Sequence, residues 1–316
     1  MRAAKVILTA SCVVLMFARA AAPAGSAAQP PDEPAGHPEL LVSGQWLARH
    51  LGDADLVVLC VAQAPEFCSA GHIPGARFVS LGDLVERRGA ALHAVPPPEK
   101  LEAVFRGAGV NARSRIVLYG ERLGLCAARA FFTLDYLGAA NPALLDGGLE
   151  AWKREGRPLS FETVRPLPGD FAAHVHPEVL LGLDEVRALS ASLSQRLRPA
   201  AALLDARPPE EFSGARASED VPRTGHIPGA ACLYWMNLLE SPANPVLKSP
   251  SELRRVFEAA GAPSSAGSAQ VVTYCRTGMQ SSMDYFVARY LGYRAAMYPA
   301  SFYEWSRAGA PVQADK

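Results

Sequence analysis

Residues 270–292 read QVVTYCRTGMQSSMDYFVARYLG, and this stretch decides what kind of fold the chain can form. The run Gln270–Tyr274 is short, mostly apolar and followed by a loop, which predicts a buried strand. After the loop, apolar residues recur at helical spacing, which predicts an amphipathic helix that ends at Gly292. These apolar positions are Met283, Phe286, Val287, Tyr290 and Leu291. A strand that leads through a tight loop into a helix is typical of α/β proteins.

The landmarks of this unit occur twice in the chain. The turn GHIPGA occupies residues 71–76 and again residues 225–230, an offset of 154 residues. Tyr136-Leu137-Gly138 matches Tyr290-Leu291-Gly292 at the same offset. Matches that keep their order over such a span indicate a duplicated domain.

The repeat divides the chain into two domains. We place the first over residues 39–160 and the second over residues 179–316, with the proline-rich segment 161–178 as the linker. Strands alternate with helices in each copy; Ala201–Asp205 is typical of a strand, and residues 249–252 form a capping box that opens a helix. The pattern predicts an α/β fold in which each domain is a mostly parallel sheet flanked by helices. Ligands bind such sheets at the carboxyl ends of the strands.

Cys275 stands at the carboxyl end of the predicted strand 270–274, where a short loop closes onto a helix. A cysteine in this position faces backbone N–H groups and the helix N-terminus, which favour the reactive thiolate. Arg276 adds positive charge beside it, and Gly278 allows the backbone to curl with positive φ. The pattern predicts a nucleophilic cysteine.

The first domain lacks the groups that this chemistry needs. The equivalent positions in the two copies are Gly120 and Cys275, Cys60 and Asp205, and Ala62 and Arg207. Because the first copy keeps neither the cysteine nor the arginine, we expect it to be non-catalytic and to wall the cleft of the second.

Taken together, the paired GHIPGA turns, the Asp205-Ala206-Arg207 strand end and the C-R-x-G loop resemble the tandem-domain rhodaneses, the thiosulfate sulfurtransferases, over about residues 39–316. The resemblance implies two tandem rhodanese-like domains, of which the second carries a cysteine that cycles between thiolate and persulfide. It assigns this role to Cys275 and a supporting role to Asp205. The implied substrate-binding residues are Arg207, Arg276, Thr277, Gly278, Met279 and Gln280.

The same resemblance implies that the partners are small molecules and that no metal or other cofactor takes part. The sulfur donor would be thiosulfate, and the thiophilic acceptor would be cyanide or a thiol. Two departures from the family pattern stand out. Thr277 replaces a lysine of the best-known thiosulfate enzymes, and Pro299-Ala300 replaces the usual Asp-Gly.

Three other functions compete with this interpretation. In the 3-mercaptopyruvate branch a glycine usually follows the cysteine, so Arg276 argues against that activity. A cysteine phosphatase of the related fold needs Cys-x5-Arg, but position 281 is Ser. The pair Cys275 and Arg207 argues against a non-catalytic sulfur carrier or binding protein of the cell envelope.

The N-terminal segment predicts export. Arg2 and Lys5 precede the apolar block Val6–Phe17, and a run of small residues follows. This layout is typical of a secretory signal peptide. We therefore expect residues 1–28 to be removed, leaving a periplasmic protein that begins near Gln29 and has no stable membrane span.

Composition excludes other classes of protein. The 31 basic residues balance 31 acidic ones, so no excess positive charge is present to bind nucleic acid. Outside Cys12 of the signal segment, five cysteines remain, and this odd number leaves at least one thiol unpaired. The sequence leaves open whether any of Cys60, Cys68, Cys126 and Cys232 pair.

Several other polar residues are assigned structural or surface positions. His72 and His226 lie in the repeated turn, and because His72 persists in the non-catalytic copy, we expect both to form structural hydrogen bonds. Glu211 is expected on a solvated loop and Arg216 on the surface. Cys126 is expected to pack on a helix face.

Overall fold

The computed structural model describes residues 36–195, 201–217, 220–264, 267 and 269–315. The predicted signal peptide lies outside these stretches. None of the helices within them has both the length and the apolar character that a membrane crossing requires.

The first domain is organised around a parallel sheet. Its strands are β1 (Leu41–Val42), β2 (Leu56–Ala62), β3 (Arg77–Ser80), β4 (Glu86–Arg88), β5 (Ala91–Ala94), β6 (Arg115–Gly120) and β7 (Pro142–Leu145). Its helices are α1 (Gly44–His50), α2 (Glu66–Ser69), α3 (Pro98–Gly107), α4 (Leu125–Tyr136) and α5 (Gly148–Arg154). Five strands pair in parallel in the order β1-β7-β6-β2-β3, and β4 and β5 form a separate antiparallel pair. The central strand β2 is buried along its whole length, as a parallel strand covered on both faces should be.

The second domain repeats this plan. Its helices are α6 (Leu183–Ser194), α7 (Pro209–Ser213), α8 (Pro250–Ala259), α9 (Ser281–Leu291) and α10 (Ser301–Arg307). Its strands are β8 (Ala201–Asp205), β9 (Ala231–Cys232), β10 (Leu239–Ser241), β11 (Asn244–Leu247), β12 (Gln270–Tyr274) and β13 (Arg294–Met297). Four strands pair in parallel in the order β13-β12-β8-β9, and β10 and β11 pair antiparallel. The predicted α/β class is confirmed in both domains.

The elements that carry the site were predicted closely. Strands β8 and β12 have the expected bounds, and α9 ends before Gly292, whose φ of 91° caps the helix in the left-handed region. At the start of α8, Ser249 and Glu252 form the predicted capping box.

Helices α4 and α9 pack against each other and join the two domains. Nearly every residue of both helices is buried. Phe131 meets Phe286 and Phe132 meets Tyr285 edge to face, with ring centroids 4.8 and 5.0 Å apart. This packing places the first domain directly against the loop that follows β12.

Cys60 and Cys68 form a disulfide that ties β2 to α2, with their Cα atoms 6.2 Å apart. Cys126, Cys232 and Cys275 are free thiols. Cys60 stands at the position that Asp205 occupies in the second domain.

The two histidines of the repeated turns have the predicted structural role. His72 Nδ1 donates to the Cys68 carbonyl at 3.1 Å, and His226 Nδ1 donates to the Phe212 carbonyl at 2.9 Å. Residues 161–176, most of the predicted linker, form neither helix nor strand.

Candidate active site

Cys275 is held at the bottom of a cleft between the two domains. It follows β12 directly, and only 1% of its surface is exposed. Its backbone N–H donates to Ser301 Oγ at 3.1 Å, and its Sγ accepts from the Gly278 N–H at 3.1 Å. An amide aimed at the sulfur stabilises negative charge there, as the sequence predicted for this loop.

Contacts with the start of α10 fix the shape of the loop. Phe302 and Tyr303 donate their backbone N–H groups to the carbonyls of Cys275 and Arg276, both at 3.0 Å. Gly278 has φ of 88°, and a Cβ there would lie 2.3 Å from the Pro299 carbonyl oxygen. Glycine is therefore the residue that fits this position.

The Pro299-Ala300 pair, which replaces the usual Asp-Gly, fits this turn because the residue with left-handed backbone is Ser301 and not Ala300. Gly147 and Gly148 of the first domain have φ of 67° and 57°. At the equivalent positions Ala300 has φ of −70° and Ser301 has φ of 59°. Alanine thus meets no backbone strain, while Ser301 takes the left-handed conformation and supplies the hydroxyl that holds Cys275.

Arg207 does not reach the cleft, and the expectation that it contacts the substrate needs correction. It is 1% exposed, and its Nε donates to Asp205 Oδ1 at 2.9 Å while its Nη2 donates to Oδ2. Nη2 also donates to the Gly225 carbonyl at 2.8 Å, and the guanidinium lies 4.1 Å from the ring centroid of Phe302. The Asp205 carboxylate, two residues earlier in the chain, thus binds the Arg207 side chain. Through its contacts with Asp205, Gly225 and Phe302, Arg207 connects β8, the GHIPGA turn and α10 beneath the site.

Glu211 is buried, so its assignment to a solvated loop was wrong. It lies on α7, and only 3% of its surface is exposed. Its Oε1 accepts from Arg276 Nη2 and, at 3.4 Å, from Arg216 Nη2. Because α7 turns this carboxylate toward the Cys275 loop, it orients Arg276 and compensates part of its charge.

The cleft above Cys275 has a volume of about 350 Å³. The predicted residues Arg276, Thr277, Met279 and Gln280 line it together with Cys275. Gly278 forms the loop beneath, whereas Asp205 and Arg207 lie outside the lining.

The first domain contributes two polar side chains to the cleft, which the sequence analysis missed. His93 of β5 lines the cleft, and its Nδ1 lies 3.0 Å from the Thr277 carbonyl oxygen. Since a carbonyl only accepts, Nδ1 carries the proton. Burial lowers the pKa of His93, so the ring is neutral near neutral pH and Nε2 is left as an acceptor. The corresponding position of β11 in the second domain is Val246. This difference between the two copies was the signal in the sequence that could have identified His93 as a residue of the site.

Arg122 is the second contribution of the first domain. It is exposed on the cleft wall and makes no ion pair with any residue in the described part of the chain. Both Arg122 and Leu123 have positive φ, 61° and 55°. Left-handed backbone at two successive non-glycine residues is costly, and such strain clusters at functional sites. The backbone therefore presents an uncompensated guanidinium to the space above Cys275.

A buried carboxyl group lies behind the nucleophile. Asp284 of α9 is fully buried, and neither of its oxygens has a hydrogen-bond partner among the described residues. Burial raises its pKa well above the usual range, and the charges of Cys275 and Asp205 act in the same direction. Asp284 is therefore held as a neutral acid at moderate pH.

This raised pKa gives a test of the site's electrostatics. A carboxyl group that ionises more readily in the unfolded chain makes the native state less stable as the pH rises above about 4, with a limiting slope of about 1.4 kcal/mol per pH unit. We expect Asp284→Asn to gain stability relative to the wild type between pH 5 and pH 8, measured by urea unfolding. If the free energies of unfolding of Asp284→Asn and the wild type differ by the same amount at pH 5 and at pH 8, Asp284 is already ionised in the folded protein.

The other free thiols are poor nucleophiles. Burial raises the pKa of Cys126 to about 12, and it raises the pKa of Cys232 to about 12 as well. The described residues also contain no cluster of three or more His, Cys, Asp or Glu side chains that could hold a metal ion. The chemistry of the cleft therefore centres on Cys275.

Comparison with known proteins agrees with this geometry. The model of the rhodanese-like domain matches residues 43–155 and again residues 188–308. The chain is 31% identical over 293 residues to the sulfur carrier protein TtuD of Thermus thermophilus, covering 87% of this chain and 97% of that protein. It is 32% identical over 272 residues to the thiosulfate sulfurtransferase of Azotobacter vinelandii, covering 84% and 93% of the two chains.

A solved structure extends the agreement to the whole fold. The 3-mercaptopyruvate sulfurtransferase SseA of Escherichia coli superimposes with a TM-score of 0.71 at 26% identity, covering 83% of this chain and 98% of that one. Two domain matches, relatives aligned over nearly their full length and a cysteine loop on the second of two parallel sheets lead to one conclusion. The chain belongs to the tandem-domain rhodanese family.

Proposed function

We propose that the protein transfers a sulfane sulfur from thiosulfate to a thiophilic acceptor through a persulfide on Cys275. The observation that carries this proposal is the charge of the cleft. Cys275 Sγ accepts from a backbone amide, Arg122 and Arg276 stand on the walls, and no carboxylate lines the cleft among the described residues. Such a surface favours a small dianion over a neutral or cationic substrate.

The first step is a displacement at sulfur. The Cys275 thiolate attacks the outer sulfur of thiosulfate and forms an S–S bond, while the original S–S bond breaks and its electron pair leaves with sulfite. The negative charge of the thiolate passes to the terminal sulfur of the persulfide. The guanidinium groups of Arg122 and Arg276 balance the two negative charges that thiosulfate brings into the cleft and that sulfite carries away.

The second step returns the enzyme to its starting state. Cyanide or a thiolate attacks the terminal sulfur of the persulfide, the S–S bond breaks, and its electron pair remains on Cys275 as the thiolate. With cyanide the product is thiocyanate. Cys275 begins and ends both steps as an anion, so no metal or redox cofactor is needed to balance the reaction.

Initial rates with thiosulfate and 3-mercaptopyruvate, measured side by side with cyanide as acceptor, test the choice of donor. We expect the higher kcat/KM with thiosulfate because Arg276 occupies the position next to the cysteine. A higher kcat/KM with 3-mercaptopyruvate would contradict thiosulfate as the preferred donor, but it would leave the persulfide mechanism unaffected. A single loading of sulfur without turnover of either donor would favour a carrier like the Thermus relative.

Arg122 should contribute to donor binding. An exposed ion contact is worth up to about 1 kcal/mol, so we expect Arg122→Gln to raise the KM for thiosulfate about two- to fivefold with little change in kcat. The matched control is Arg113→Gln, which removes the same charge from an exposed loop outside the cleft. Equal KM values in the two variants would remove Arg122 from the donor site.

We further propose that the protein is exported to the periplasm after removal of residues 1–28. The Cys60–Cys68 disulfide supports this, because disulfides persist mainly in oxidising compartments. N-terminal sequencing of protein from the periplasmic fraction should begin near Gln29. Recovery of the protein with Met1 in the cytoplasm would contradict the proposal.

A further inference from the structure

Arg129 of the first domain extends beneath the Cys275 loop of the second. It lies on α4 and is completely buried. Its Nη2 donates to the His93 carbonyl at 2.9 Å, and its Nη1 lies 3.3 Å from the Gly278 carbonyl oxygen, which it faces as a donor. One guanidinium thus holds both the strand that carries His93 and the loop that carries the nucleophile.

The Arg129 guanidinium donates to two carbonyls and lies 5.6 Å from the ring centroid of Phe132, but it has no carboxylate partner in the described part of the chain. Its Nε has no hydrogen-bond partner there. A buried charge without a counterion is costly. Burial lowers the pKa of Arg129 to about 10, and the charge of Cys275 opposes this shift. The group is therefore cationic at neutral pH, and a negative charge on Cys275 would favour this cationic form.

The two-fold repeat supplies an internal comparison. At the repeat offset of 154 residues, Arg129 corresponds to Met283 and Gly278 corresponds to Gly124. Met283 Cε lies 3.4 Å from where a Cβ on Gly124 would stand, so it approaches the first-domain loop as Arg129 approaches the second-domain loop. The first-domain loop has Gly120 in place of the cysteine. The cation therefore occurs only beneath the loop that carries a nucleophile.

Other titratable groups around Cys275 come from several elements. Asp284 of α9 is buried behind it, His93 of β5 and Arg122 face the cleft, and Arg276 is bonded to Glu211. Burial disfavours the charged forms of both Asp284 and His93. The Glu211 carboxylate compensates part of the charge of Arg276, whereas the buried Arg129 has no carboxylate partner among the described residues.

We propose that Arg129 is a positioning residue, supplied by the domain that lacks a nucleophile, whose charge stabilises the Cys275 anion throughout the reaction cycle. Because the thiolate and the persulfide each carry one negative charge, the same cation balances both. The first domain is then part of the reactive centre as well as a wall of the cleft. The persulfide part of this inference rests on the proposed function, but the thiolate part does not.

Alkylation of Cys275 by iodoacetamide, followed by peptide mass spectrometry across a range of pH, tests the inference without any sulfur donor. Arg129→Met copies Met283 and removes the charge at similar side-chain length. We expect the pH midpoint of alkylation to rise by about one unit, which corresponds to an alkylation rate about tenfold slower below the wild-type midpoint. Arg129→Lys, which keeps the charge, should restore most of the wild-type profile.

Phe131→Leu is the matched control, because it loosens the same α4–α9 contact without changing a charge. It should lower thermal stability and leave the alkylation midpoint unchanged. If Arg129→Met does not fold, as judged by circular dichroism, Arg129→Gln keeps a hydrogen-bond donor while losing the charge and is expected to show the same shift. A wild-type midpoint in a folded, uncharged variant would overturn the inference, whether or not the protein turns over thiosulfate.

Discussion

Cys275→Ser is expected to reduce sulfur transfer from thiosulfate to cyanide to the uncatalysed rate. A hydroxyl group cannot accept sulfane sulfur to form a persulfide, so the first step of the cycle is lost. The fold should survive, because serine is slightly smaller than cysteine and the Gly278 N–H can donate to its Oγ. The measurement is thiocyanate formation at saturating thiosulfate, with circular dichroism to verify folding.

The remaining free thiols provide the controls. Cys126→Ala and Cys232→Ala should keep sulfur transfer within about a factor of a few of the wild type, because both thiols are held protonated and lie outside the cleft. Turnover that persists in Cys275→Ser and disappears in a folded variant of either of the other two would place the nucleophile elsewhere.

Arg207→Ala should be the most destabilising single substitution near the site. It leaves the fully buried Asp205 carboxylate without its partner, and breaking a buried ion pair in this way costs about 3–5 kcal/mol. The expected result is a loss of that size in the free energy of unfolding, measured with urea. Residual folded enzyme should retain its KM for thiosulfate, since Arg207 does not line the cleft.

Removing both charges distinguishes this explanation from a simple cavity. The single variant Arg207→Met and the double variant Asp205→Asn, Arg207→Met fill the same space, but only the single variant leaves the Asp205 carboxylate uncompensated, so the double variant should be the more stable of the two. A double variant that is no more stable than Arg207→Met would show that the arginine acts through its contacts with Gly225 and Phe302 instead. A raised KM in folded Arg207→Ala would restore its predicted role in substrate binding.

The strands and the loop that contains Cys275 could be predicted because their signals are local in the sequence. A short apolar run ending at Tyr274, a Cys-Arg-x-Gly loop and helical spacing from Met283 onward each constrain the backbone within a few residues. The duplicated GHIPGA turn then extended the same fold to the first domain, including the loss of the nucleophile at Gly120.

The composition of the cleft could not be predicted in the same way. His93 and Thr277 are separated by 184 residues, and Arg129 and Gly278 by 149, so nothing local joins them. They meet because α4 and α9 pack face to face, a contact that no local pattern in the sequence indicates.

Arg207 and Glu211 show a different limit. The family resemblance implied an anion-binding role for Arg207, and we expected Glu211 on a solvated loop, but the position of each side chain depends on the partner that lies nearest. Arg207 donates a hydrogen bond to Asp205, two residues earlier in the chain, and α7 directs the Glu211 carboxylate inward, where it accepts from Arg276. Burial and pairing, rather than residue type, decided both positions.

The most direct measurement is the mass of the peptide that contains Cys275 after the protein is treated with thiosulfate alone. Transfer of one sulfur atom predicts a gain of about 32 Da on this peptide, and addition of cyanide should remove it with stoichiometric formation of thiocyanate. The peptides that contain Cys126 and Cys232 should keep their masses. Sulfur found on either of those peptides, or turnover of thiosulfate with no added mass on Cys275 at any time, would contradict the persulfide mechanism at this residue.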